Sequence, residues 1–158
     1  MAIEGERMKH YNCIIILNKD RDKILFCKRM NDPYQGLYNF VGGKIEEGES
    51  SPEAAYRELQ EETGITAQEV KLLPFMDYIW HIQQIHMEVY VGVVTQEITL
   101  RNEKHPLYWL GLNHDFFAMD RFAGEGNIGH MVEILKQSGF IGEASAEAEK
   151  EDGRTLTP

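Results

Sequence analysis

Glu58, Glu61 and Glu62 stand at i, i+3 and i+4 in the run Arg57-Glu-Leu-Gln-Glu-Glu62. On a helix that spacing gathers three carboxylates on one face, where like charges repel. A face of this kind calls for a counter-charge. Mg²⁺ or Mn²⁺ is the natural one, because hard divalent cations take oxygen ligands. The plain alternative is a solvated acidic face, the ordinary meaning of a Glu-rich helix. Three carboxylates alone do not separate the two readings.

The flanking residues predict the helix that would hold them. Ser50 or Ser51 caps its start, and Pro52 suits the first turn. Ala54, Ala55, Arg57, Leu59 and Gln60 are good helix formers, and Gly64 supplies the stop. Ala55 and Leu59, at i and i+4, form a separate stripe that can pack inward.

The wider spacing decides between the readings. It runs Gly43-x5-Glu49-x7-Arg57-Glu58-Leu59-x-Glu61-Glu62-x-Gly64-Ile65. Seven fixed residues at roughly 7% usage each would match by chance on the order of 10⁻⁸ per start position. The stretch covers 23 of the 158 residues and resembles the signature of the Nudix hydrolases at every fixed position. That resemblance implies an α/β/α sandwich with a mixed sheet between helices. It also implies an Mg²⁺- or Mn²⁺-dependent hydrolase acting on a nucleoside diphosphate linked to another group. Water would attack phosphorus while metal screens the phosphate charge.

The resemblance also implies roles. Glu61 and Glu62 would be the principal metal ligands, and Glu58 a further ligand or the base. Glu58, Arg57 and Glu61 form the implied catalytic group, with Arg57 orienting Glu58. Glu49 would be another ligand or a structural acceptor. Gly42 would offer its backbone carbonyl to metal, as only a side-chain-free loop approaches so closely. Lys44 would contact phosphate. The segment Glu103-Lys-His-Pro-Leu-Tyr-Trp109 resembles a MutT-type loop whose acid ligates metal outside the box; otherwise Glu103 is an exposed loop residue.

Gly36-Leu-Tyr-Asn-Phe-Val-Gly-Gly-Lys44 is similar to the approach to the box in MutT-type and oxidised-purine triphosphatases, with Val41 where Pro often stands. The position where ADP-ribose members often carry Pro holds His81, and Tyr78 is slightly early for the dinucleoside-polyphosphate pattern. A nucleoside triphosphate, 8-oxo-dGTP among the candidates, is therefore the first expected substrate. The alternatives are a nucleoside diphosphate-sugar or a dinucleoside polyphosphate, or a non-catalytic nucleotide-sensing module, whose box is usually decayed. Asn39 and Asn127 are the expected base readers, since an amide donates and accepts at once. The competing readings are that Asn39 only ends a strand and that Asn127 only caps a helix.

The chain's composition is that of an ordinary globular domain, and its net charge is −10. Residues 43–65 carry −5 of that charge and residues 141–158 carry −3, so the acidity is local. There is no basic stripe for a nucleic-acid polymer, no apolar run of membrane-spanning length and no signal-peptide core. Cys13 and Cys27 sit in apolar runs and are expected as reduced core residues, consistent with a cytoplasmic location.

Strands are expected at 11–17, 23–29, 37–41, 70–75, 76–82, 85–94 and 107–110, with a last helix over 127–138. Asn18-x-Asp-x-Asp22 lacks the Gly and Glu of a calcium loop and predicts a hairpin turn. His81 and His86 are expected to be structural. The expected organisation is a loose N-terminus (1–8), one domain (9–140) and an acidic tail (141–158). Residues 143–158 contain one large apolar residue, Leu156. Deleting them should therefore leave the melting temperature and hydrolytic activity nearly unchanged; a large fall in either would show that the tail docks.

Overall fold

The run from Cys13 to Leu17 is almost fully buried because it lies in the middle of the sheet. The computed structural model describes residues 7–101 and 104–141. Strand β1 (Lys9–Leu17) turns into β2 (Lys23–Lys28) at Asn18, whose Oδ1 accepts from the amides of Asp22 (3.0 Å) and Lys23 (2.9 Å). The N-x-D-x-D run is thus a side-chain-stapled hairpin turn.

Strand β3 (Tyr38–Asn39) pairs with the end of β2, and the chain beyond it runs antiparallel to β1 through Val41 and Lys44. Helix α1 (Ser51–Thr63) follows, then the antiparallel pair β4 (Leu73–Trp80) and β5 (Ile85–Val93). β5 lies parallel to β1, in register from Lys9 opposite Ile85 to Leu17 opposite Val93. β6 (Leu107–Gly111) covers the other edge of β2, and helix α2 (Asn127–Gln137) closes the described chain. β4 is an edge strand, so the register shift at Pro74 costs little. The two strands expected at 70–75 and 76–82 are this single bulged strand. His81 lies outside it, in the turn before β5, so His81 and His86 do not share a strand.

Alternation along β1 sorts the core into two layers. Cys13, Ile15 and Leu17 pack with Ile128, Met131 and Leu135 of α2. Ile14 and Ile16 pack with Ala55 and Leu59 of α1. The mixed sheet is thus sandwiched between helices. Ile141 is buried with the α2 layer, so the core runs one residue past the boundary expected at 140. The rest of the expected tail lies outside the described residues.

Local signals explain α1. Ser50 Oγ accepts from the Glu53 amide (3.3 Å) and Glu53 accepts from the Ser50 amide (3.1 Å), a complete capping box. Gly64 ends the helix in the left-handed region, at φ 79°. Thr63, fully buried, donates to the Leu59 carbonyl (2.6 Å) and accepts from the Ile65 amide (3.0 Å). The chain then crosses β5 at Gly92, where an added Cβ would lie 2.5 Å from Val70 Cγ2 and 3.0 Å from the Lys71 carbonyl. Gly92→Ala should therefore destabilise by about 1–3 kcal/mol through overpacking, measured by urea denaturation. An unchanged midpoint would show that the crossing yields freely.

Candidate active site

Arg57 is the hub of the acidic face. Its Nε and Nη2 clamp the two oxygens of Glu49, the Nη2 contact at 2.8 Å. Nη1 donates to Glu58 (2.9 Å) and to Glu61 (3.2 Å), and Nη2 also donates to the Lys44 carbonyl (3.1 Å). Those hydrogen bonds, with one from the Glu46 amide, pull the Glu49 carboxyl down to about 2. In this structure Glu49 accepts from Arg57 and from the Glu46 amide.

Glu58 is 7% exposed and its carboxylate lies against Gly43, where a Cβ would sit 2.6 Å from it. Glu62 accepts from the Gly42 amide (2.9 Å). Burial, with the charge of Glu58 adding, pushes the Glu62 carboxyl up to about 7. Gly42 has φ 144°, and a side chain there would collide with the backbone of Asn12 and Cys13. Both glycines are therefore required by close approach, one to backbone and one to a carboxylate.

The donor chemistry fits a hard divalent cation. It comprises three carboxylates and a glycine loop, and Glu62 has no salt-bridge partner among the described residues. Among the described residues no group of three or more His, Cys, Asp or Glu converges as a formed metal-ligand set. Glu58 and Glu61 turn toward Arg57, the cation at hand. Glu103 lies outside the described residues; Lys104, which follows it, is near enough to Glu62 to favour the ionised form. Lys44 is exposed.

A cavity of about 550 Å³ opens from this loop. Glu62, Gly42 and Gly43 line one part of it, and Asn39 and Asn127 line it as well. Cys13, Met87 and Met131 add apolar surface, while Tyr34, Tyr78 and Trp80 add aromatic walls. Asn39 Oδ1 accepts from the Phe40 amide (2.9 Å). Asn127 is the first residue of α2; Gly126 is the N-cap and no side chain caps the helix. The capping role considered for Asn127 is therefore not the one it plays.

Two features of the site escaped the sequence reading. Tyr34 Oη donates to both oxygens of Glu125 (3.0 and 2.8 Å), joining the loops that precede β3 and α2. Both residues have positive φ, 68° and 50°. Asn12 Oδ1 accepts from the Gly43 amide (3.0 Å). Neither contact has a local signal, although an Asn inside the apolar run Tyr11–Leu17 was a visible irregularity.

The fold agrees with what the chain is similar to. The family model for the NUDIX domain matches residues 8–120. The chain is 32% identical over 106 residues to 8-oxo-dGTP diphosphatase of Escherichia coli, covering 65% of this chain and 82% of that one. It is 45% identical over 58 residues to ADP-ribose pyrophosphatase of Methanocaldococcus jannaschii, which is 37% of this chain and only 34% of that relative's length. Among solved structures, a MutT from work on Aliivibrio salmonicida and Vibrio cholerae superposes with a TM-score of 0.61 at 27% identity, covering 82% of this chain and 98% of that one. The chain belongs to the Nudix family, whose members are hydrolases of phosphoanhydride bonds and generally use a divalent metal such as Mg²⁺. No described helix is long and apolar enough to cross a membrane.

The raised pKa of Glu62 has a sign. Its folded value, about 7, lies above the ordinary 4.5, so the folded protein holds this proton more tightly than the unfolded chain. The stability it contributes is fully present below the unfolded pKa and is lost as pH rises through about 7. In chelator, part of the fall in melting temperature between pH 5 and 8 should disappear in Glu62→Gln. Identical pH profiles for the two proteins would refute the burial of that charge.

Proposed function

We propose that the protein is a divalent-metal-dependent pyrophosphohydrolase that cleaves a purine nucleoside triphosphate, 8-oxo-dGTP among the candidates, to nucleoside monophosphate and pyrophosphate. One observation carries this reading. A single cavity runs from Glu62 and the Gly42–Gly43 loop to Asn39 and Asn127. Its volume, about 550 Å³, lies within the range of small-molecule sites, and its mix of apolar wall and few polar groups is typical of them. A nucleoside laid in it would place its phosphates against the acidic face.

Glu61, Glu62, Glu58 and the Gly42 carbonyl are the donors we assign to the metal. Bound Mg²⁺ would neutralise the polyphosphate and lower the pKa of the attacking water. Arg57 keeps Glu58 and Glu61 oriented, and the burial of Glu58 fixes it in place to accept a proton. The water oxygen bonds to phosphorus as the bond to the bridging oxygen between the α- and β-phosphates breaks, giving nucleoside monophosphate and pyrophosphate. Asn39, with its acceptor already engaged, keeps its NH₂ for a base edge, and Asn127 keeps its whole amide. The E. coli relative supports the triphosphate reading because the alignment spans most of both chains. The ADP-ribose relative favours the nucleoside diphosphate-sugar alternative, with less weight, since that alignment covers about a third of either.

The test is a panel of GTP, dGTP, 8-oxo-dGTP, CTP and ADP-ribose with Mg²⁺, with the products identified, on wild type, Asn39→Ala and Asn127→Ala. Wild type should release monophosphate and pyrophosphate from purine triphosphates and lose activity in chelator. Each variant should raise KM for purines by about 10- to 100-fold, the cost of a lost buried hydrogen bond, while kcat falls less. ADP-ribose outranking every triphosphate, or an unchanged ranking in both variants, would overturn the assignment.

A further inference from the structure

Asn12 and Glu88 face each other across the parallel strands β1 and β5, in register and on the face turned toward α1. Asn12 is 3% exposed. Its amide N–H donates to the Gly43 carbonyl (2.8 Å), and its Oδ1 accepts from the Gly43 amide (3.0 Å). Its Nδ2 is buried with no partner. Glu88 Oε1 accepts from Ser51 Oγ (3.1 Å) at the first turn of α1, and its Oε2 is buried with no partner. One orphan is a pure donor and the other a pure acceptor. Each would otherwise cost the full desolvation of a buried polar group. The two residues are register neighbours on one sheet face, although their orphan atoms do not meet hydrogen-bond geometry in the structure.

We propose that a small side-chain rotation joins Asn12 and Glu88, unbonded to each other in the structure, in a buried hydrogen bond, Nδ2–H to Oε2, that positions the Gly42–Gly43 loop against α1. That bond would complete a path from the Gly43 amide through Asn12 and Glu88 to Ser51, tying both ends of the segment between Gly43 and the helix through the sheet. Both are positioning residues. Asn12 lines the cavity beside Gly43, and together the two set where the Gly42 backbone and the Glu58 and Glu62 carboxylates meet. The link to metal rests on the function proposed above; the hydrogen bond itself does not.

A polarity swap tests it. Asn12→Asp keeps the acceptor for the Gly43 amide but sets a carboxylate against a carboxylate. Asn12→Asp with Glu88→Gln restores one donor and one acceptor, now reversed, and leaves an oxygen for Ser51. Two readouts apply: Gly43 amide hydrogen exchange by NMR without metal, and Mn²⁺ affinity by electron paramagnetic resonance. Asn12→Asp should speed the exchange and weaken Mn²⁺ binding by about tenfold each, the size expected for one buried polar link. The double variant should return both to within about threefold of wild type. A double variant as impaired as Asn12→Asp, or an Asn12→Asp protein unchanged in Gly43 exchange, overturns the proposal. Should Asn12→Asp fail to fold, recovery of folding in the double variant supports the link, and a double variant that also fails overturns it. A wild type that binds no Mn²⁺ overturns the proposed function, while the Gly43 exchange pattern still decides the hydrogen bond.

Discussion

The site depends on one guanidinium. Helix α1 sets Glu58, Glu61 and Glu62 within one turn, an arrangement that repels itself. Arg57 lies on the same helix and reaches Glu49, Glu58, Glu61 and the Lys44 carbonyl at once. Its planar fork suits this task in a way a lysine ammonium would not, because the two-pronged grip on Glu49 fixes the plane from which Nη1 reaches the other two acids. Glu49 stands in the loop before the helix, so the same grip folds that loop back onto α1. Local charge repulsion is thereby converted into a constraint between segments.

Glu62 is the acid that this hub leaves out. It turns to the other side, where its partner is the Gly42 amide. Burial near Glu58 raises its pKa, so its negative charge is held at a cost that the fold does not remove. A carboxylate in that condition attracts any cation that can reach it. The two glycines set the distance: a side chain at Gly42 would strike β1, and one at Gly43 would strike the Glu58 carboxylate. The acidic helix and the glycine loop therefore act as one unit, with spacing limited by hard contacts.

Much of this was legible in sequence because it is local. The capping box, the Gly64 stop, the inward Ala55–Leu59 stripe and the three-carboxylate face all lie within a few turns of one helix. The Asn18 hairpin and the α2 stripe are equally short-range. What was not legible is long-range. Tyr34 and Glu125 are 91 residues apart, and Asn12 meets Gly43 across 31. Periodicity places such residues on a face but does not say which partner the tertiary fold will bring. Glu49 was ambiguous for a related reason: its spacing from Arg57 fits a partner as well as a ligand, and only the loop's path decides. Asn39 and Asn127 came from similarity of their flanking residues, and it is the sheet and α2 together that bring both to one cavity.

Fixed chemistry and variable recognition occupy different parts of the fold. The acidic face, its guanidinium and its glycine loop come from one contiguous stretch, residues 42–62, packed on the α1 side of the sheet. The far walls of the cavity come from β3, β4 and the entry to α2, elements separated by long stretches of chain. An alignment over 58 residues can therefore reach 45% identity while covering too little of the chain to say much about the base. The Tyr34–Glu125 bond ties two of these separate walls together, linking the loop that precedes Asn39 to the loop that precedes Asn127. On the function proposed here, selection among nucleotides would depend on how those two loops are held, and a change in either would redirect the cavity without touching the carboxylates.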